Sequence, residues 1–511
     1  MPLLKADIDR PWLWSRVHVF FTILFSGFAV GATYSIFHVT LYCFEACSRL
    51  GYSDEPEFIL ADNETVNITV SNCYSFQEPT VLALLYSSVH WTIPLVMLPL
   101  GLFPDLVKKH TISILFMGTL SVSCFAIPTL IRSHAHFGLL ILVRAIQGAA
   151  IGGFIILFSF PLPDLFPRYP WIGILLSPPI IVGSGSAYLI GRGLCLRGEW
   201  ERAYYIVATI SFVAMAMWVG HQFWGSKVQP RQDRTRSAQM KKQLSALGRE
   251  AIEKLVGLPL KAKLNILLLC ASAATCFLLN FFLWIFPMML FMRSLEVNYW
   301  KSCLGGFLCV QAHVLGRFLG LPTLRLYTRC LSQRSALICI FIPTSLIAIL
   351  TISIRMNVVI ADPQGRIITL VLCIGSICTG LQYMCFVQTG QLFDTVYSPC
   401  CSVLMLFSAY LPGFSIPLAV IYLILGQSQV AWTDFITGLT VLSALLSTIC
   451  FVAVVMPSDS PVAAKLRNSL KRLSQKGRVF TVEDGKQTQF SASNSIELSD
   501  TDKTVSSETE K

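Results

Sequence analysis

HFGLLILVRAIQGAAIGGFIILF, residues 136–158, is an apolar run that one charge, Arg144, and one amide, Gln147, interrupt. A helix of about 20 residues crosses the hydrocarbon core of a bilayer, so the run is long enough to span a membrane. An arginine in the middle of such a helix is costly unless it faces a polar partner or a wet cavity. The run therefore predicts a membrane-spanning helix whose arginine either bonds neighbouring helices or contacts a solute.

The rest of the chain repeats this pattern. Of its 511 residues 54% are hydrophobic and 13% are charged, against roughly 25% charged in soluble domains. This composition excludes a secreted, nuclear or cytosolic protein, and the unbroken runs exclude a barrel, whose strands alternate. We predict an all-α membrane protein with 12 transmembrane helices in two six-helix halves. The other eleven runs are 17–42, 80–103, 111–131, 171–192, 203–224, 266–292, 303–323, 336–355, 366–390, 398–424 and 432–456.

Charge fixes the predicted topology, because Lys and Arg concentrate on the cytoplasmic side. Residues 225–265 carry ten Lys or Arg against three acids, so we expect this segment to be cytoplasmic. An even number of spans then places both termini there. We attribute the formal charge of +11 to this topology and not to nucleic-acid binding. The predicted organisation is a cytoplasmic N-terminus 1–16, a first half 17–224 that includes a glycosylatable loop 43–79, a basic cytoplasmic linker 225–265, a second half 266–456, and a disordered cytoplasmic tail 457–511.

The first loop is expected to be extracytoplasmic, since it is acidic and carries glycosylation sequons at Asn63 and Asn67. A disulfide between Cys47 and Cys73 is one prediction for this loop. Such a loop fits the plasma membrane or an endolysosomal or vesicle membrane. Three arginines between the fifth and sixth spans, on the same predicted side, either anchor lipid headgroups or attract an anionic solute. They are Arg192, Arg197 and Arg202.

Six spans, a basic linker and six spans resemble the layout of the major facilitator superfamily. Arg144-Ala-Ile-Gln147-Gly148 resembles that superfamily's Arg-x-x-Gln-Gly motif in the fourth span. After the second span, a glycine, an acid four residues on and then basic residues resemble its cytoplasmic gating motif. The gating residues implied by this resemblance are Gly101, Asp105, Lys108 and Lys109, although Lys108 replaces the superfamily's second glycine.

The resemblance narrows to the anion/cation symporters, the branch of sialic acid, vesicular glutamate and sodium/phosphate transporters. It rests on the glycosylatable first loop and on short matches at Ser88, Pro99-x-Gly101, Trp200 with Tyr204-Tyr205, Pro287, and Gln391-x-x-Asp394. Two departures affect function. The branch's arginine in the first span is missing, where His38 is the nearest substitute, and its acid seven residues after the fourth-span arginine is Ile151 here.

The resemblance implies a secondary active transporter that moves a small, anionic organic or inorganic solute by alternating access, coupled to H⁺ or Na⁺. Arg144 would supply positive charge, with Gln147 and Gln382 as neutral polar contacts. His38, His90 and His313 are candidates for the coupling site, because histidine titrates near physiological pH, although each is also typical of a hydrogen-bonded packing residue. The predicted partners are the solute, the coupling ion and the bilayer, with no nucleic acid, and the predicted state is a monomer.

No cofactor or metal is expected, and no enzyme motif such as His-Glu-x-x-His or Gly-x-Ser-x-Gly occurs in the sequence. The alternative function is a membrane sensor or scaffold that keeps the fold without transport. The two missing charges motivate this alternative, and the Ser/Thr-rich tail would be its output.

Overall fold

The computed structural model describes most of the helical part of the chain. The described residues are 11–50, 59–60, 64–65, 79–102, 109–133, 135–159, 177–195, 197–228, 253, 255–285, 291, 299–358, 366–396, 401–415, 417–419 and 429–455. One compact unit ends at Met456. The second unit, Pro457–Lys511, lies outside the described residues, as does most of the predicted linker.

The first half contains six helices: α1 (Pro11–Leu50), α2 (Pro79–Leu102), α3 (Lys109–Arg132), α4 (Phe137–Ser159), α5 (Ser177–Cys195) and α6 (Trp200–Val228). The loop after α1 carries a two-residue ladder in which β1 (Ile59–Leu60) pairs antiparallel with β2 (Glu64–Thr65), Ile59 opposite Thr65. The second half contains α7 (Leu260–Ile285), α8 (Tyr299–Thr328), α9 (Gln333–Val358), α10 (Arg366–Val396), α11 (Cys401–Tyr410) and α12 (Gln429–Val455).

Eleven helices in the described ranges are long and apolar enough to cross a membrane, so the chain is an all-α, multi-pass membrane protein, as predicted. The helix outside these spans is α5, because serines, glycines and Arg192 dilute its apolar residues. Helix α11 is counted together with the residues that continue it to Ala419. It nevertheless lies at the predicted fifth span and packs between α1 and α8, with Tyr188 buried.

The eleventh span was predicted as one continuous helix over 398–424, and the structure differs from this prediction. Helix α11 ends at Tyr410 and continues as a 3₁₀ turn, Leu411–Phe414. Pro412 explains the change, because proline has no N–H to donate to the preceding helical turn. The Ser415 hydroxyl donates to the Pro412 carbonyl at 2.9 Å, which closes the turn.

The helix contacts of the two halves follow one pattern. In the first half α1 packs on α5 and α6, α2 on α4, and α3 on α4 and α6. Adding six to each number gives the contacts of the second half: α7 on α11 and α12, α8 on α10, and α9 on α10 and α12. The halves meet where α2 contacts α11 and α5 contacts α8. Because α2 corresponds to α8 and α5 to α11, exchanging the halves turns one of these contacts into the other. The described helices therefore form a structural repeat.

Glycine permits close approach of helix backbones within each half. A Cβ added to Gly148 of α4 would lie 2.0 Å from the Val89 carbonyl oxygen of α2. In the second half a Cβ at Gly380 of α10 would lie 2.4 Å from the His313 carbonyl oxygen of α8. Small residues of this kind let membrane helices approach closely, and the two glycines hold corresponding helix pairs together.

Candidate functional site

Arg144 is fully buried in α4. Its guanidinium lies 4.3 Å from the centre of the Phe37 ring of α1, and its Nη1 donates to Gln147 Oε1 at 2.8 Å. Its Nε and Nη2 have no hydrogen-bond partner among the described residues. A buried polar group left unpaired costs about 1–3 kcal/mol, and a charged group more. The predicted motif residues Arg144 and Gln147 thus meet, but the cation retains two unused donors.

The surroundings of Arg144 contain no carboxylate within the described structure. Its electrostatic neighbours are the phenols of Tyr204, Tyr34 and Tyr86 and the thiol of Cys124. Within the eleven apolar spans and α5 the sequence holds one acid, Glu201, and that carboxylate pairs with Arg132 at the helix ends. Buried charges in proteins are normally paired or bind an ion, whereas no carboxylate in the described part of the chain pairs with this cation.

Two of the three predicted histidines gather beside Arg144. The His38 ring stacks on Tyr86 with centroids 4.9 Å apart, and both of its ring nitrogens lack a partner in the described part of the chain. His90 Nε2 lies 3.3 Å from the Tyr34 hydroxyl, while its Nδ1 is unpaired by the same criterion. A neutral imidazole offers one donor and one acceptor, so this cluster can accept as well as donate.

His313 lies elsewhere, in the second half, and its ring is hydrogen-bonded at both nitrogens. Arg317 Nε donates to His313 Nε2 at 2.9 Å, which makes Nδ1 the protonated nitrogen. That Nδ1 lies 3.2 Å from the Ser376 carbonyl oxygen and 3.1 Å from Thr379 Oγ1. The Arg317 guanidinium also stacks 3.6 Å above the Tyr383 ring. His313 is therefore part of a helix-to-helix network and does not join the Arg144 cluster.

Gln382, another predicted contact, is also bonded within the second half. Its Nε2 donates to Ser345 Oγ of α9 at 2.8 Å, and its Oε1 accepts from the Cys276 thiol of α7 at 3.5 Å. These bonds use the amide to join three helices, which is the structural alternative that the sequence left open.

A cavity of about 20 Å³ lies where the halves meet, which is room for about one water molecule. Its walls include Tyr34 of α1, Ile151 of α4, Ser184 of α5, Phe281 of α7 and Tyr410 next to the 3₁₀ turn. Ile151, where the resembling symporters have an acid, therefore lines this cavity. It follows Arg144 by seven residues, which is two helical turns along one face, so the cation lies beyond one end of the cavity.

Aromatic rings carry the contact across the two halves. His90 meets Phe281 edge-on with centroids 5.3 Å apart, and Phe281 meets Tyr410 at 5.5 Å. Tyr34, which interacts with Arg144, also interacts electrostatically with Tyr410. A change in the contents of the cavity would thus be felt by both halves.

Sequence reasoning missed several members of this cluster. Tyr34 and Phe37 belong to it, and their spacing with His38 places all three on neighbouring faces of α1, a signal that would have found them. The side chains of Asn280 and Gln311 also hold unpaired buried atoms. A lone amide inside the run FLLNFF was the available sign for Asn280.

The predicted gating motif is only partly visible. Gly101 lies at the end of α2, and a Cβ there would approach Val403 of α11 to 2.5 Å, so the halves touch at this end. Asp105 and Lys108 lie outside the described residues, and so does the side chain of Lys109.

At the opposite end of the molecule, Cys195 at the end of α5 is disulfide-bonded. The other half of that bond is not among the described side chains, and neither are the predicted pair Cys47 and Cys73 or the sequon residues Asn63 and Asn67. Of the three arginines predicted near this end, Arg202 donates to Glu199 at 2.7 Å in an exposed ion pair, whose Coulomb energy is small.

Comparison with known proteins adds no identity, since the chain matches no family model and no curated protein sequence.

Proposed function

We propose that the chain is a secondary active transporter of major facilitator type that carries a small anion by alternating access. The observation that carries the proposal is Arg144, a buried cation with two unused donors and no carboxylate neighbour in the described structure, next to a cavity between two repeating halves. Transporters built from such repeats bind their solutes near the midplane, at the repeat interface. An anion there would satisfy the guanidinium and offset its desolvation.

The rocking of the halves supplies the access. In the proposed cycle the halves separate at one end while the other stays closed. The contact of Gly101 with Val403 supports closure at the end where the gating motif lies. The cavity of about 20 Å³ is far smaller than the several hundred Å³ of typical ligand pockets, so a solute enters only when the halves move apart.

Coupling to H⁺ or Na⁺ completes the proposal. The fourth-span acid of the resembling symporters is Ile151 here, so a proton would need another acceptor. His38 and His90 are buried beside Arg144 with unpaired ring nitrogens, and His90 touches Phe281 of the other half. A proton on either ring would change the electrostatic potential both at the bound anion and at the interface between the halves.

For orientation we propose that both termini are cytoplasmic and that the loop after α1 is extracytoplasmic and glycosylated, in the plasma membrane or an endolysosomal membrane. The disulfide at Cys195 supports this, because disulfides persist in oxidising compartments and the end of α5 lies at the same end of the bundle as the end of α1. Removal of N-glycans from parent, Asn63→Gln and Asn67→Gln proteins, read as a gel shift, tests this orientation. Cytoplasmic loops would give no shift in any of the three.

The function is tested by uptake into proteoliposomes of labelled phosphate and of short carboxylates, with and without a pH or Na⁺ gradient. The parent should concentrate at least one anion, Arg144→Lys should retain part of the rate, and Arg144→Gln should lose it. Arg325→Gln is the matched control, because it makes the same change at an exposed position of α8 and should leave uptake unchanged. Full uptake by Arg144→Gln would overturn the anion site.

The second candidate function, a sensor or scaffold without transport, is favoured by the missing first-span arginine and by Ile151. It predicts that an anion raises the melting temperature of the parent but not of Arg144→Gln, with no flux under any gradient.

A further inference from the structure

The two unused donors of Arg144, Nε and Nη2, lie on the same edge of its planar guanidinium. The remaining nitrogen, Nη1, donates to Gln147 Oε1, so the group is held by one corner while that edge has no partner among the described residues. Two N–H bonds on one guanidinium edge run parallel and match the two oxygens of one carboxylate. The unpaired atoms of Arg144 are thus arranged for a carboxylate.

Tyr34 connects this arginine to the cavity between the halves. It lines the cavity and interacts electrostatically with Arg144. Phe37, whose ring lies beneath the guanidinium, follows Tyr34 by three residues, which is about 4.5 Å along α1. On α4 the lining residue Ile151 follows Arg144 by about 10 Å. The cation and the cavity are therefore close enough for one small molecule to reach both.

The wall of the cavity consists mainly of hydrocarbon. None of its described lining residues is charged, and they come from both halves. Those whose side chains have no polar atom are Val30, Ile93, Ile151, Ile155, Ile180 and Phe281.

Three described lining residues carry hydroxyl groups, Tyr34, Ser184 and Tyr410. The Tyr34 hydroxyl lies 3.3 Å from His90 Nε2, and the Ser184 hydroxyl donates to the Gly31 carbonyl at 3.1 Å. These two groups are therefore already bonded within the first half. A solute with many hydroxyls would bury several of them here without partners, which is unfavourable.

The second buried arginine, Arg317, lies behind the opposite wall. It interacts electrostatically with Tyr410, but its guanidinium stacks on the Tyr383 ring and its Nε donates to His313. Among the described residues, the unpaired guanidinium edge near the cavity is that of Arg144. A second negative charge on the solute would therefore be buried without a matching cation, at high cost.

We propose that the solute is a monocarboxylate with a hydrocarbon body. Its carboxylate binds the Nε and Nη2 edge of Arg144, and its body lies against the isoleucines and Phe281 of the cavity, which widens as the halves part. This inference rests on the proposed function and narrows its anion to one chemical class.

Three acids with six carbons each test the proposal: hexanoate, gluconate and adipate. Their binding is measured at pH 7.5 by calorimetry on the full chain in lipid nanodiscs, with empty nanodiscs as the background for partition into lipid. We expect hexanoate to have a dissociation constant at least about tenfold below those of gluconate and adipate, since each buried methylene strengthens binding about fourfold. Arg144→Gln should abolish hexanoate binding, and Arg144→Lys should weaken it, because lysine keeps the charge but lacks the edge.

The cavity wall is tested by Ile151→Thr and Ile155→Thr. Each places a hydroxyl among the hydrocarbon contacts and should weaken hexanoate binding about fourfold or more, with little effect on gluconate. Ile146→Thr is the matched control, because Ile146 belongs to the same helix but is 43% exposed on its outer side, and it should bind hexanoate as the parent does. If neither wall variant folds, the parent's ranking of the three acids decides.

Gluconate or adipate binding as tightly as hexanoate would overturn the inference and leave anion transport intact. Unchanged hexanoate binding in both wall variants would also overturn it, since the body would then lie elsewhere. Binding of none of the acids by a parent that takes up phosphate would overturn the inference alone. A parent that neither binds an acid nor takes up any anion would overturn the proposed function with it.

Discussion

The two halves bury the same kinds of polar side chain, but the hydrogen bonding of these side chains differs. Each buries an arginine on an aromatic ring, Arg144 on Phe37 and Arg317 on Tyr383. Arg317 donates to His313, whose other nitrogen meets Ser376 and Thr379. Arg144 instead keeps two nitrogens unpaired within the described structure.

This difference between the two arginines is informative because the helices around them are packed in the same way in both halves. Gln147 of α4 donates to Cys124 of α3 at 3.6 Å, and Gln382 of α10 donates to Ser345 of α9 at 2.8 Å, so corresponding helices are joined by corresponding amides. Three residues before Gln147 stands Arg144, and three residues before Gln382 stands Thr379. The second half therefore fills the charged position with a hydroxyl. We infer that the hydrogen-bonded groups of the second half, Arg317, His313 and Gln382, stabilise the fold, whereas Arg144 of the first half serves a ligand.

The largest expected contrast comes from replacing each arginine by methionine. Arg317→Met should lower the free energy of unfolding by about 2–4 kcal/mol, because it leaves the bonded His313 network incomplete. Arg144→Met should lower it by less, since two of the three replaced nitrogens are unpaired and the third bonds Gln147 of the same helix, while abolishing anion uptake. Melting temperatures in detergent check both. A similar loss of stability in the two variants would remove the distinction between the halves.

The repeat itself is tested by the close-packed glycines. Gly148→Ala and Gly380→Ala should each cost about 1–3 kcal/mol, because the new methyl group meets a backbone carbonyl that cannot move without shifting a helix. Gly220→Ala and Gly375→Ala are controls, as a Cβ at either position meets nothing within 4 Å, and these should be neutral or slightly stabilising. A large cost in one half only would mean that the corresponding helix pairs are not packed alike.

Much of the fold could be predicted from the sequence, because a membrane-spanning helix needs about 20 apolar residues and little else. Helix ends were less predictable. Helix α1 runs over Pro11–Leu50 although its apolar run covers 17–42, since backbone hydrogen bonding continues beyond the hydrocarbon. The interruption after Tyr410 was missed, because proline inside a membrane helix is often accommodated without one.

The candidate site was predictable only where a residue is costly by itself. Arg144 stands out in any apolar run. The position of each histidine along its predicted span, by contrast, could not show that His38 and His90 face Arg144 and that His313 does not. The unpaired side-chain atoms of Asn280 were not predicted, because hydrogen-bond pairing is a property of three-dimensional packing. The function, with its solute and coupling ion, stays a prediction.

Ile151→Glu sharpens the contrast by giving the first half an internal anion. Two turns from Arg144 on the cavity wall, an ionised Glu would compete with the solute, so the apparent KM at pH 7.5 should rise about tenfold or more. Protonation removes that charge, so the defect should shrink as the pH falls towards 5. Ile151→Gln, similar in size but uncharged, should show no such pH dependence. A defect of the same size in both variants would point to packing rather than charge.

The smallest contrast is expected between the two glutamines. Gln382→Leu removes bonds to Ser345 and Cys276 and should cost about 1 kcal/mol of stability with little change in uptake, because these bonds lie within the second half. Gln147→Leu removes a weak bond to sulfur and one bond to the buried Arg144 cation, so its stability should fall by about 1.5–3 kcal/mol. Its uptake should also fall, since Gln147 orients the guanidinium, and Gln147→Glu would abolish uptake if it neutralised Arg144. Melting temperatures and initial uptake rates on the same preparations measure both effects. Were Gln382→Leu to reduce uptake more than Gln147→Leu, the second half would also contribute to binding through its bonded polar groups, and the division between a structural and a ligand-binding interior would fail.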